Sequence, residues 1–294
     1  MNNRLKNWVL IPLYGVAPVF EMKLMYFIKH HEWLNLDNPE TYNEKLNWLK
    51  LFYRDDLMPK CADKYSVRDY ISSKGYGEYL PKLYWHGSKP EDIPFDSLPK
   101  SFVLKSTSGS GNNLIVKDKS KLNVKDTIRM ARKWMKEKYL VAYGEWHYMK
   151  IKPSLIVEEL LSDGVNEVPA DYKLFCFNNY PGSVLCTALD TDRFKGHRRD
   201  IYDRDWNLLD VKFKFKRNGH PKQKPSCYEQ MCKVAEDLAK PFPHARIDFF
   251  VIGERFYIGE ITFFNGAGFD LITPYEYNLK MGQAIKLPPK NYNM

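Results

Sequence analysis

The densest apolar pattern in the chain runs from Arg246 to Phe269, RIDFFVIGERFYIGEITFFNGAGF. Phe249, Phe250, Val251 and Ile252, then Phe256, Tyr257 and Ile258, are aromatic or β-branched with no polar alternation. That pattern predicts two strands buried on both faces and joined around Ile252-Gly253-Glu254. Asp248 and Glu260 interrupt it, and a carboxylate in such surroundings is costly unless a cation or hydrogen-bond donors meet it. Both positions are even, so a loop with an odd number of residues would bring the two side chains to one face. Two readings follow: a magnesium–phosphate site with Thr262 and the Asn265-Gly266-Ala267-Gly268 turn beside it, or buried ion pairs with Arg246 or Arg255.

The remaining pattern is mixed helix and strand. Thr41 and Glu44 have the spacing of a capping box, ahead of an apolar stripe at Tyr42, Leu46, Leu49 and Phe52. A helix is expected to start at Asp63, with Val67, Tyr70 and Ile71 inward and Lys64 in its first turn, where a cation is unfavourable unless an anion sits nearby. Further helices are expected over 124–140 and 228–240. Strands are expected over 101–105, 114–117, 153–161, 171–177 and 183–189. In 153–161 the adjacent Glu158 and Glu159 must face opposite ways, and in 171–177 Asp171 and Lys173 share a face. Residues 8–20, WVLIPLYGVAPVF, are apolar but broken by Pro12, Gly15 and Pro18, too short for a membrane span. With Arg4, Lys6 and Lys23 around it, this segment suits either a membrane surface or packing on the core.

Composition narrows the classes. The 294 residues are 44% hydrophobic and 28% charged, values of a globular chain with room for two or three subdomains. A net charge of +9 suggests an anionic partner, although no basic run or nucleic-acid module stands out, so nucleic acid is not expected. Cys61, Cys176, Cys186, Cys227 and Cys232 form no C-x-x-C pair, which suits reduced thiols in a cytoplasmic protein.

Between the strands at 101–105 and 114–117 lies STSGSGNN, too long for a tight hairpin and poor in side chains that could pack. Such a loop is either a mobile surface hairpin or a lid that presents backbone N–H groups to phosphates. Lys105, at its base, is placed to reach a phosphate as a point charge. The residue order differs from that of a P-loop. His197, in the charged segment 190–200, reads as a loop histidine without a catalytic role.

Taken in order, Asp63-Lys64, Lys105 with its glycine loop, Val157-Glu158-Glu159-Leu160-Leu161, Asp171-Tyr172-Lys173, Arg199, Asp248 and Glu260-Ile261-Thr262 resemble the ATP-grasp superfamily. NPETYNEKLNWLK, MPKCADKYSVRDYI, FVLKSTSGSGNN, DYKLFCFN, HRRDIYDRDWN and GEITFFNGAGF resemble its teichuronopeptide-synthesis, TupA-like branch, over roughly residues 33–282. The resemblance implies an α+β, ATP-grasp fold with two subdomains clasping the nucleotide: a helical region over 1–62, a nucleotide-binding subdomain with the lid over 63–160, and a metal-carrying subdomain over 161–294. It implies an ATP-dependent carboxylate–amine ligase of cell-surface polysaccharide synthesis, joining an amine or amino acid to a sugar-acid carboxylate, in the cytoplasm or on the inner face of its membrane. By match to the family's motifs, Lys64 and Lys105 would hold phosphates under a lid containing Ser108, Gly109, Ser110 and Gly111. Glu158 would take the adenine amino group, with the backbone at Leu160 and Leu161 on the ring edge. Asp171 would approach the ribose and Lys173 the phosphates. Asp248, Glu260 and Thr262 would hold magnesium, and Arg199, with Lys105, would stabilise charge during catalysis. Thr262 stands where superfamily members commonly carry Asn, Asn265 where this branch often shows Pro, and Asp200 where Asn is common.

A rival class rests on Asp190-Thr191-Asp192 after the apolar VLCTAL, a D-x-D such as metal-dependent glycosyltransferases use. The chain lacks the N-terminal βαβ start that a sugar-nucleotide fold would need. A noncatalytic membrane or polyanion module is a third reading, resting on charge and residues 8–20.

Overall fold

The computed structural model describes residues 12–109, 111–137, 143–164, 168–192 and 196–292. The expected lid residue Ser110, the first four residues of the apolar segment 8–20, and the end of the helix expected over 124–140 lie outside them. Two antiparallel sheets organise the chain. The smaller has the order β1 (Leu83–Gly87), β4 (Leu155–Glu158), β2 (Phe102–Ser106), β3 (Asn113–Val116). The larger runs β11 (Arg255–Thr262), β10 (His244–Ile252), β5 (Asp171–Phe177), β6 (Val184–Thr191), β7 (Arg198–Asp203), β8 (Leu208–Leu209). A short ribbon pairs β9 (Lys212–Phe213) with β12 (Ile272–Thr273).

Phe102, Leu104, Val116, Leu155 and Val157 turn one face of the small sheet toward Ala131 and Ile128 of the helix Val124–Trp134, a self-contained core. The opposite face carries Lys105 and Glu158. In the large sheet, Leu174, Ala245 and Ile247 pack with Met231, Val234, Ala235 and Leu238 of the helix Tyr228–Ala239. The helices Pro18–His30 (α1), Tyr42–Phe52 (α2), Leu57–Ala62 (α3) and Val67–Ser73 (α4) bury their apolar residues in this same larger core. Packing is therefore continuous from the N-terminal helices into the large sheet, while the small sheet keeps a core of its own.

The capping box forms as the pattern predicts: Thr41 Oγ1 accepts from the Glu44 N–H and the Glu44 carboxylate accepts from the Thr41 N–H. The helix expected at Asp63 begins instead at Val67. Asp63 Oδ1 accepts from Tyr65 N and Ser66 N, a local turn that competes with helix and holds Lys64 ahead of α4 rather than in its first turn. The loop between β10 and β11 also departs from expectation. It has two residues, Gly253 and Glu254, and a regular ladder would set Asp248 opposite Gly259 and send Glu260 to the far face. A bulge at Gly259 restores the match, pairing Asp248 with Glu260. A Cβ there would lie 3.0 Å from the Phe250 ring and 3.4 Å from the Asp248 carbonyl, so the bulge suits glycine.

Met22, Met25 and Tyr26 of α1 are buried, while its Phe20, Phe27 and Ile28, and Val16 just ahead of it, are exposed. Among the described residues no helix is long and apolar enough to cross a membrane.

Candidate active site

Register alone places the ionisable side chains of the large sheet in a row. Directly opposed residues of antiparallel strands share a face, and the pairs are Arg199 with Asp190, Asp190 with Asp171, Lys173 with Asp248, Asp248 with Glu260, and Arg246 with Thr262. The face therefore carries acids and bases interleaved across five adjacent strands, β7, β6, β5, β10 and β11, with acid opposite acid at Asp190–Asp171 and Asp248–Glu260. Arg199 donates to both oxygens of Asp190, at 2.5 and 2.7 Å. Lys173 Nζ lies 4.0 Å from Asp190, 2.5 Å from Asp171 and 2.6 Å from Asp248. Arg246 closes the row: Nε and Nη2 donate to Asp248 at 2.6 and 2.7 Å, and Nη1 donates to Asn265 at 2.5 Å.

Burial and pairing pull these groups in opposite directions. Burial alone would raise the Asp248 carboxyl, but Arg246 and Lys173 outweigh it and hold its pKa at about 2. For Lys173 burial favours the neutral amine, and Asp171 and Asp248 reverse that, leaving the ammonium raised. Burial of Asp190 is likewise overcome by Arg199, so its carboxyl stays lowered. All three remain charged in the folded protein.

The face of the small sheet meets this row. Lys105 Nζ donates to Glu158 Oε2 at 2.8 Å, and Arg68 donates to Glu158 Oε1 at 2.9 Å. The Glu158 carboxylate thus tethers Lys105 at the base of the glycine loop. Lys64 donates to the Gly109 carbonyl at 2.5 Å, and its backbone N–H to the Thr107 carbonyl. Burial lowers the Lys64 pKa, with Glu260 acting against it. Gly109 and Gly111 sit at φ 77° and 86°, in the left-handed region that favours glycine. Ser108 and Gly109 lie in the loop, its carbonyl at Ser108 accepting from Ser106 Oγ. Leu160 and Leu161 follow the end of β4, half-buried. Lys64, Lys105, Gly111, Asp171, Lys173, Asp248 and Glu260 line one cavity of about 170 Å³ between the sheets. A second, of about 620 Å³, has Arg246, Thr262 and the same Glu260 in its wall.

Oxygens of Asp248, Glu260 and Thr262 converge on one point, lying 2.7, 3.1 and 3.1 Å from Arg246 Nη2. Hard oxygens gathered so closely suit a magnesium ion, which takes one or two carboxylates and completes its shell with phosphate oxygens and water. Here the guanidinium serves as their cation, so the ion-pair reading with Arg246 also describes this structure. Arg255 takes no part; it donates to the Glu78 carbonyl. Among the described residues no three His, Cys, Asp or Glu side chains form a metal cluster. The D-x-D reading loses its first carboxylate, because Asp190 is engaged bidentately by Arg199, while Asp192 is exposed at φ 52°. His197 stacks on Phe215 and reaches Asp190 at 3.2 Å.

Sequence reasoning missed Arg68, which joins through a tertiary contact that no local signal announces. Arg246 is expected as an ion-pair partner and Asn265 in the turn beside the carboxylates; the bond between the two depends on tertiary contact.

Residues 44–286 match the family described as TupA-like ATPgrasp. No curated protein sequence matches the chain. Among solved structures, the D-alanine–D-alanine ligase of Helicobacter pylori is 18% identical over 83% of this chain and 69% of its own, with a TM-score of 0.44. That of Bacillus anthracis is 17% identical over 74% of this chain, with a TM-score of 0.40, and the match spans 58% of its length. The ATP-grasp ligase PsnB, solved with a phosphomimetic precursor, Mg and ADP, is 13% identical over 82% of this chain and 65% of its own, with a TM-score of 0.41. With most of its length inside the family match, and with an α+β architecture in which two antiparallel sheets face one charged cleft, the chain belongs to the TupA-like ATP-grasp family.

Proposed function

We propose that the protein is an ADP-forming carboxylate–amine ligase that activates the carboxylate of a sugar acid and joins it to an amine or amino acid, in cell-surface polysaccharide synthesis. The observation that carries this reading is the single cavity where Lys64 and Lys105 from one side meet Asp171, Lys173, Asp248 and Glu260 from the other. Three ammonium groups and paired carboxylates around one small space suit a polyphosphate tail better than any neutral ligand. ATP places its phosphates there, with the loop over 106–113 closing on them. The adenine amino group goes to Glu158, which must then share its carboxylate with Arg68 or Lys105, and the ring edge goes to the backbone at Leu160 and Leu161. Asp171 takes the ribose. Asp248, Glu260 and Thr262 would hold magnesium, which when bound neutralises charge on the phosphates.

The terminal phosphoryl passes to a substrate carboxylate, giving an acyl-phosphate and ADP. An amine then displaces phosphate, leaving an amide. Arg246 borders the larger pocket and bonds to residues of the smaller one, so its guanidinium suits the negative charge that develops on the acyl oxygen as the amine attacks. Arg199 acts at one remove, fixing Asp190 and through it Lys173. A reaction that draws on ATP fits a cytoplasmic site of action. Thermal shift tests the reading: ATP with magnesium should stabilise the protein more than UDP- or GDP-sugars with magnesium, and the reverse order would overturn it.

A further inference from the structure

The larger pocket, which shares Glu260 with the phosphate cavity, holds more positive charge than the ligase chemistry uses. Its outer wall carries Lys29, from the last turn of α1, with Lys212 and Lys214. The two ribbon lysines flank Phe213, which is completely buried and anchors the ribbon in the core. Lys214 keeps a left-handed backbone, φ 61°, although it is not glycine, and its N–H is tied to the Leu271 carbonyl. Such strain persists only where the surroundings enforce it, and it clusters at ligand sites. Lys214 Nζ lies 3.3 Å from Asp270. Among the described residues no ion pair engages Lys29 or Lys212. The pocket's acids are Glu145, Asp270 and Glu260, of which Glu260 is paired with Arg246.

We propose that this outer wall is an anion subsite for a phosphate or diphosphate group on the substrate whose carboxylate is activated at Glu260 and Arg246. The inference rests on the ligase reading and specifies its substrate: an acidic sugar still attached to a phosphate-bearing carrier. A pocket of 620 Å³ has room for a sugar between the two ends. A nucleoside diphosphate and a lipid diphosphate present the same chemistry here. Ile28 beside Lys29, and Leu271 in the pocket wall, are 57% and 53% exposed, which favours a lipid tail leaving the mouth.

Calorimetry with the full chain tests the subsite without turnover. The nucleotide site is saturated with magnesium and a non-hydrolysable ATP analogue, and inorganic pyrophosphate is titrated. Pyrophosphate should bind, and the double variant Lys29→Gln/Lys212→Gln should bind it at least about tenfold more weakly, since each lost charged hydrogen bond matters on that scale. Both lysines are exposed, so an unchanged unfolding temperature controls for folding. No binding by about 10 mM pyrophosphate, or equal binding by both proteins, would overturn the subsite. Farnesyl diphosphate binding more tightly than UDP would identify the lipid carrier, and the opposite order the nucleotide. Lysine-dependent binding with no ADP formed from any acid would remove the ligase reading and keep the subsite. ADP formation with lysine-independent binding would do the reverse.

Discussion

At the scale of single residues the site is a chain of charges in which each group depends on its neighbours. Asp248→Asn and Glu260→Gln keep shape while removing the charge that a metal requires, so both should fold and lose magnesium-dependent ATP turnover by about a hundredfold or more. Unaltered turnover in both would return these residues to the ion pairs with Arg246. Arg246→Leu leaves Asp248 buried with Lys173 alone, and breaking a buried pair in this way should cost about 3 kcal/mol, read by urea unfolding. Asp192, exposed and outside the row, should tolerate alanine with turnover changed less than about twofold. A group outside this row contributes to pH dependence. Glu21 of α1 is fully buried, its oxygens without hydrogen-bond partners, and burial raises its pKa to about 8, with Lys50 acting against it. The folded state keeps that proton where the unfolded carboxyl has lost it. This contribution is therefore complete below about pH 4.5 and is lost as pH rises toward 8. Glu21→Gln should match the wild type at pH 4 and exceed its melting temperature at pH 8; an unchanged difference across that range would contradict the assignment.

At the scale of elements, the glycine loop and the hairpin carry the argument. Lys64 holds the Gly109 carbonyl, and the loop has few side chains to pack, so nucleotide should reorganise it. Amide exchange across Ser106–Asn113 is expected to slow on adding ATP with magnesium, and equal exchange in both states would count against a lid. Much of this level was legible in the chain. β5 and the helices Tyr42–Phe52 and Tyr228–Ala239 follow local patterns of burial and capping, which is why their bounds agree with the sequence reading, whereas β10 begins at His244, two residues ahead of the expected Arg246. What depends on non-local contact was not legible. The bulge at Gly259 is set by pairing between strands, and the alignment of Lys173 with Asp248 by strand register. The second inward face of α2 also escaped notice: Asn47 donates to the Gly268 carbonyl and Lys50 to the Ala267 carbonyl, fastening the turn after β11. Polar residues at that spacing look like a solvent face until their acceptors are known. The start of α4 was misplaced because an Asx-type turn at Asp63 looks, in sequence, like a helix cap.

At the scale of the molecule, a sheet with its own core and a sheet continuous with the N-terminal helices face each other across a cleft. The smaller and the larger cavity share Glu260 in their walls. Under the proposed ligase function, that arrangement lets one hairpin serve both a nucleotide and an acceptor. It also sets the central claim apart from glycosyl transfer, which would spend a sugar nucleotide and leave ATP untouched. The direct measurement is the identity of the released nucleotide when purified protein is incubated with ATP, magnesium, candidate sugar acids, amines and sugar nucleotides. ADP with free phosphate should appear, hydroxylamine should trap the activated acid as a hydroxamate, and Asp248→Asn should abolish both. UDP release dependent on Asp192, with no ADP under any condition, would contradict the account.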